Sequence, residues 1–138
     1  MSKGDAREQV LRALYAAEQR GAAEPDASGL DGRARQMLQG VWEHRDELDR
    51  SLEEAATNWR VERMPVVDRN ILRVALYELR YDHETPTSVV IAEAVKRAKE
   101  YSTEKSGTFV NGVLSTLAGS ERSSAADDGP VTLPPTVL

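Results

Sequence analysis

Apolar residues recur at three- and four-residue steps through most of the chain between Ala6 and Leu117, and that period predicts helices rather than strands. The densest run is VVDRNILRVALYELRY, residues 66–81, where Val66, Val67, Ile71, Leu72, Val74, Ala75, Leu76 and Leu79 cover far more than one narrow stripe. A helix so covered needs neighbours on several sides, which predicts a core helix. Pro65 suits its first turn, where a missing N–H costs nothing. Arg69 and Arg73 share one strip of its surface, and Asp68 and Glu78 are expected elsewhere on its exposed part.

The other helices are read as covering this one. Asp5 is a candidate cap for a helix to about Gln19, with Glu8 in capping-box position and Gly21 as the C-terminal stop. Val10, Leu14 and Ala17 form its inward face. After a loop around Pro25, a second pattern begins near Leu30 or Asp31 and continues through Leu38, Val41, Leu48, Leu52 and Trp59, with a break expected at residues 47–50 and Asp49 as the next cap. Trp42 and Trp59 are expected in the core. Thr87 or Ser88 caps VVIAEAVKRAKEY, and residues 107–117 form the last helix, with Phe109, Val113 and Leu117 pointing inward. From Gly119 the composition turns to Ser, Ala, Asp and Pro, which predicts a disordered tail. The expectation is an all-α fold of two small helical bundles, residues 5–60 and 61–118 of one domain spanning 1–118, followed by a tail at 119–138.

Composition narrows the function classes. The chain is 40% hydrophobic and 30% charged, which fits a globular protein. It has no cysteine, so disulfides and thiolate metal sites are excluded. The N-terminus is polar, which argues against a signal peptide, and no apolar run is long enough for a membrane helix; a cytoplasmic location is expected. His44 and His83 stand on different elements with no third ligand, and no nucleotide-binding or nucleophile motif is present. The expectation is a non-enzymatic protein with no metal and no cofactor. A net charge of −5 disfavours bulk attraction to nucleic acid, so such a role needs a local basic patch. Two candidates exist: Lys3, Arg7 and Arg12 before Tyr15, and Lys96, Lys99 and Lys105 before Phe109. A cation beside a flat ring suits single-stranded RNA, although a solvated helix face with a core phenylalanine is the plainer reading of these residues alone.

The sequence also resembles the NusB family of transcription antitermination factors. The matching segments are Ala6-Arg7-Glu8 with Ala13-Leu14-Tyr15 and Glu18; Gly40-Val41 with Leu48-Asp49; Val67-Asp68-Arg69 with Ile71-Leu72-Arg73 and Leu76-Tyr77-Glu78-Leu79; Ile91-Ala92-Glu93-Ala94-Val95 with Ala98-Lys99; and Ser106 with Phe109-Val110-Asn111-Gly112-Val113-Leu114. The resemblance implies a two-bundle helical fold. It implies a factor that binds boxA RNA of ribosomal RNA leaders together with NusE, a small-subunit ribosomal protein, and joins the RNA polymerase antitermination complex. Carried over, the RNA residues are Lys3, Arg7, Tyr15, Lys105 and Phe109. The NusE residues are Glu62, Asp68, Arg69, Arg73 and Glu78. The chain departs from the family in a thinned N-terminal basic cluster, with Asp5 between Lys3 and Arg7, and in a basic Lys105 where an acidic residue is frequent. A helical scaffold or homodimer without RNA, and the NusB-like domain attached to some RNA methyltransferases, are the competing readings; the chain's end after this domain favours a standalone factor.

Overall fold

The computed structural model describes residues 2–21, 24–57 and 59–122. They form six α-helices and one short 3-10 turn, with no strand among the described residues. The helices are α1 (Lys3–Arg20), α2 (Gly32–Glu43), α3 (Arg45–Ala55), α4 (Val66–Tyr81), α5 (Thr87–Tyr101) and α6 (Glu104–Glu121); the 3-10 turn is Val61–Arg63. The all-α expectation holds.

α4 touches each of the other five helices, as its broad apolar coverage requires. Ile71, Leu72, Val74, Ala75, Leu76 and Leu79 are all buried, and they join Val10, Leu14, Leu38, Val41, Leu48 and Leu52 from the first half to Val90, Val110 and Leu114 from the second in one cluster. The two halves therefore share a single core through α4.

Local signals set most of the ends. Gly21 closes α1 at φ 66°, a left-handed conformation that glycine adopts without steric cost. The Asp31 carboxylate accepts a 2.8 Å bond from the Ala34 N–H and starts α2. Elsewhere the structure corrects the expectations. Ser2, not Asp5, caps α1, its hydroxyl accepting from the Asp5 N–H, while Glu8 reaches across to α5 instead of closing a capping box. The break between α2 and α3 falls at His44, ahead of the expected 47–50, and Asp49 lies inside α3 facing α4. α5 follows directly on Pro86 with no side-chain cap. α6 begins at Glu104, because the Thr103 hydroxyl accepts from the Ser106 N–H.

α6 also outlasts its apolar pattern. It continues to Glu121, past the expected start of the tail at Gly119, and Arg122 is buried. The Arg122 guanidinium donates to the carbonyls of Glu78, Leu79, Asp82 and Thr85. Glu78 already accepts the Asp82 N–H, so Arg122, the residue that follows α6, adds a second donor there and takes up further carbonyls at the end of α4 and in the turn after it. The rest of the expected tail, residues 123–138, lies outside the described residues.

Candidate functional site

Most of the charged side chains that were expected on the surface are spent on holding the helices together. Arg7, on α1, is 6% exposed and forms a two-pronged pair with Glu78 of α4: Nε donates to Oε2 and Nη2 to Oε1, each at 2.7 Å. Neither residue is available to RNA or to a partner, and the expected surface positions of Arg7 and Glu78 are corrected accordingly. Beside them Arg97 of α5 is also buried, binding Glu8 at 2.8 Å, Glu93 at 2.6 Å and the Gly4 carbonyl. The Arg97 guanidinium bond holds the Glu93 carboxyl below its usual range, against a smaller upward push from burial.

Asp68 is 2% exposed, and its Oδ2 accepts a 2.8 Å bond from the Ser106 hydroxyl. It fastens the first turn of α4 to the first turn of α6, where a carboxylate also suits the helix dipole. It is not a surface residue, which corrects a second member of the expected partner set. Arg73 is largely covered and holds Asp49 of α3 with paired bonds of 2.7 and 2.8 Å. Arg69 forms a close pair with Glu18 and donates to the Met64 carbonyl. Burial pulls the Glu18 carboxyl up, but its bonds from Arg69 and Asn70 and the charge of Arg73 outweigh that and leave it lowered. Of the expected partner residues only Glu62, in the 3-10 turn, is exposed, where it pairs with Arg60. Lys3 is half-buried, paired with Asp82 at 3.0 Å and Thr85 at 2.6 Å. Its ammonium fastens the start of α1 to the turn after α4.

The remaining expected residues do reach the surface. Tyr15 is 46% exposed and rims a cleft of about 380 Å³ between α1, α4 and α5. Leu11, Val67 and Ile71 supply apolar lining, with Glu8, Arg12, Asn70 and Tyr101 around it. Tyr101 is exposed and donates its phenol proton to Glu8 at 2.7 Å, which raises its pKa. The sequence reading missed Tyr101 as a rim residue, since its place near Tyr15 depends on how α5 crosses α1. On α6, Lys105 is exposed with no carboxylate partner among the described residues, and half-buried Phe109 follows four positions later on the same strip. Trp59, expected in the core, lies instead at the surface against Phe109, with ring centroids 4.8 Å apart.

The histidines divide. His83 is exposed. His44 sits at the α2–α3 junction, with Nδ1 2.9 Å from Glu47 and its ring stacked on Tyr81. Among the described residues no group of three His, Cys, Asp or Glu is placed to hold a metal ion, and no helix is long and apolar enough to cross a membrane.

Comparison with known proteins gives a single answer. The model of the NusB family matches residues 4–119. The transcription antitermination protein NusB of Acidothermus cellulolyticus is 42% identical over 135 residues, covering 91% of this chain and 92% of its own length. That of Clavibacter sepedonicus is 41% identical over 114 residues, covering 83% of each. That of Symbiobacterium thermophilum is 48% identical over 96 residues, and there the aligned part spans 63% of the relative. Among solved structures, T. maritima NusB superposes with a TM-score of 0.80 at 32% identity, covering 92% of this chain and 96% of that one. A chain in the crystal structure of antitermination factors NusB and NusE with double-stranded RNA superposes at 0.72 and 26% identity, covering 86% and 96%.

Proposed function

Since this chain belongs to the NusB family, we propose that it is a transcription antitermination factor that binds boxA RNA of ribosomal RNA leaders together with NusE and enters the RNA polymerase antitermination complex. The observation that carries this reading is the likeness along residues 4–119, with a NusB–NusE–RNA complex among the folds that superpose on it. The protein works by binding, not catalysis.

On this reading the RNA surface uses the residues that the fold leaves free. Lys105 meets a phosphate, and Tyr15 and the edge of Phe109 offer flat surface to bases. Lys3 and Arg7 drop out of direct contact because Asp82 and Glu78 hold them. Exposed Arg12 stands one turn from Tyr15 and takes the place that Arg7 cannot. A net charge of −5 makes such a patch local and thin, so binding by the chain alone is weak and NusE strengthens it.

The NusE surface is assigned to the α4 side of the cleft, at Val67 and Ile71, and to its continuation toward Arg69 and Glu62, with Arg12 and Tyr15 on the α1 rim left to RNA. An apolar floor with a polar rim is the anatomy of a protein interface. Asp68, Arg73 and Glu78 support this surface from behind instead of touching the partner. The test is size-exclusion chromatography of the chain with purified NusE, followed by anisotropy titration of labelled boxA RNA. A co-eluting complex that binds this RNA more tightly than the chain alone is expected; a chain that binds neither contradicts the proposal.

A further inference from the structure

We infer that Trp59 is the stacking platform for an unpaired RNA base, with Phe109 as its support and Lys105 as the cation that holds the adjoining phosphate. The inference deepens the RNA-binding reading above and rests on it.

Three observations meet at this place. Trp59 is 39% exposed, although the chain has few aromatic residues and a tryptophan buried in the core would add more to stability than nearly any other side chain. It is not loose on the surface. Its ring meets Phe109 edge to face, at 4.8 Å and 66°, which fixes the ring and leaves a flat, partly apolar surface open to solvent. Phe109 lies one turn beyond Lys105 on the same strip of α6, so an exposed lysine with no carboxylate partner among the described residues stands one turn from the ring pair.

The backbone that delivers Trp59 is itself unusual. Thr57 has φ 59°, the left-handed region that β-branched residues avoid. It is the one non-glycine residue with positive φ among the described residues. Such a conformation costs energy and concentrates at sites where geometry matters. Here it follows the end of α3 at Ala55, and the Trp59 N–H bonds the Ala56 carbonyl at 3.3 Å. Arg60 follows, exposed and paired with Glu62 at the surface, and so open to exchange for a phosphate. A rigid aromatic face flanked by cations is the arrangement that unstacked bases recognise, and it tolerates any base because every base has a π-face.

The experiment labels this chain with 5-fluorotryptophan and follows its two fluorine resonances by NMR in the complex with unlabelled NusE. A Trp42→Phe variant assigns the Trp59 resonance. Addition of single-stranded boxA RNA is expected to shift the Trp59 resonance along the same binding curve that anisotropy reports, while Trp42 stays put. Trp59→Ala is expected to weaken RNA binding roughly five- to a hundredfold, the range for loss of one base stack; Trp59→Phe, which keeps a ring, is expected to retain most of it. Three results would overturn the inference. RNA that binds tightly without moving the Trp59 resonance removes the platform and leaves the RNA-binding reading standing. A resonance that moves on adding NusE and not on adding RNA makes Trp59 a protein contact. Absence of any RNA binding by the wild-type complex refutes both readings together.

Discussion

Arg7 and Glu78 stand 71 positions apart in the sequence and meet inside the protein through two parallel bonds of 2.7 Å, with 7% of one side chain and 1% of the other exposed. The pair links α1 to α4; removing Arg7 strands the Glu78 charge in the interior, whereas removing Glu78 leaves Arg7 with Glu93, 3.7 Å away. Arg7→Ala is expected to destabilise by roughly 3–5 kcal/mol in denaturant melts, and Glu78→Ala by less, because Glu93 remains beside Arg7. Both at once should cost clearly less than the sum. Additive losses would show that the two charges act separately.

Asp68 makes a related prediction in the opposite direction from a surface residue. Asp68→Lys places an uncompensated cation where a buried carboxylate meets Ser106. The circular dichroism melt should drop sharply, while Glu62→Lys, on the exposed 3-10 turn, should leave it within about 0.5 kcal/mol of the parent. An unchanged melt for Asp68→Lys would put this side chain at the surface after all.

Leu76 is fully buried at the centre of α4. Leu76→Ala is expected to destabilise by about 2–5 kcal/mol. Gly40 tests packing from the other side, because a Cβ there would stand 2.2 Å from the Tyr77 hydroxyl oxygen and 2.4 Å from the ring carbon that bears it. Gly40→Ala should cost about 1–3 kcal/mol through overpacking. Most of that cost should vanish in a Tyr77→Ala background, where both forms are compared with the same missing ring.

Glu47 gives the chain an acid-sensitive joint. The Tyr81 hydroxyl bond, then that of His44, draws its carboxyl down to about 2, with Arg80 adding to the effect. A carboxyl depressed in the folded state contributes stability that is complete above its unfolded pKa, near 4.5, and is lost as pH falls through about 2. Glu18, Asp82 and Glu93 are lowered too and share that direction. Thermal melts between pH 6 and 2 should fall with acid, and Glu47→Gln should flatten part of the fall. Because the Glu47 side chain is 41% exposed, solvent screens the effect and the flattening is modest. A Glu47→Gln profile parallel to the parent would remove this residue from the acid response.

How far the sequence could be read depended on whether the signal was local. α4 was legible because its apolar coverage is written in consecutive residues, and Gly21 announced the end of α1 by its own chemistry. The destinations of the charges were not legible. A lone Arg or Glu is expected in water, and only the crossing of α1 over α4 brings Arg7 to Glu78. Arg122 was hidden for the same reason: its neighbours Gly119 and Ser120 look like a tail, and its four carbonyl acceptors all lie on or just beyond α4. Trp59 misled in the other direction, because its spacing continues the apolar pattern of α3 although that helix ends at Ala55 and Thr57 is left-handed. Tyr15 and Lys105 stand exposed on their helices, whereas Phe109, expected to point inward, is half-buried with its ring against exposed Trp59.

The central claim is that RNA is held by the free residues of α1 and α6, not by the basic residues locked inside. The measurement that tests it most directly is a titration of fluorescent boxA RNA into the complex with NusE at several salt concentrations, for the parent and for folded Lys105→Ala and Tyr15→Ala variants. Lys105→Ala should weaken all RNA sequences alike and flatten the log–log salt dependence by about 0.7, the loss of one phosphate contact on a single strand. Tyr15→Ala should weaken binding by roughly 1–3 kcal/mol with the slope unchanged. Equal affinities and equal slopes for all three proteins would contradict the account and leave a helical scaffold without an RNA surface at this place.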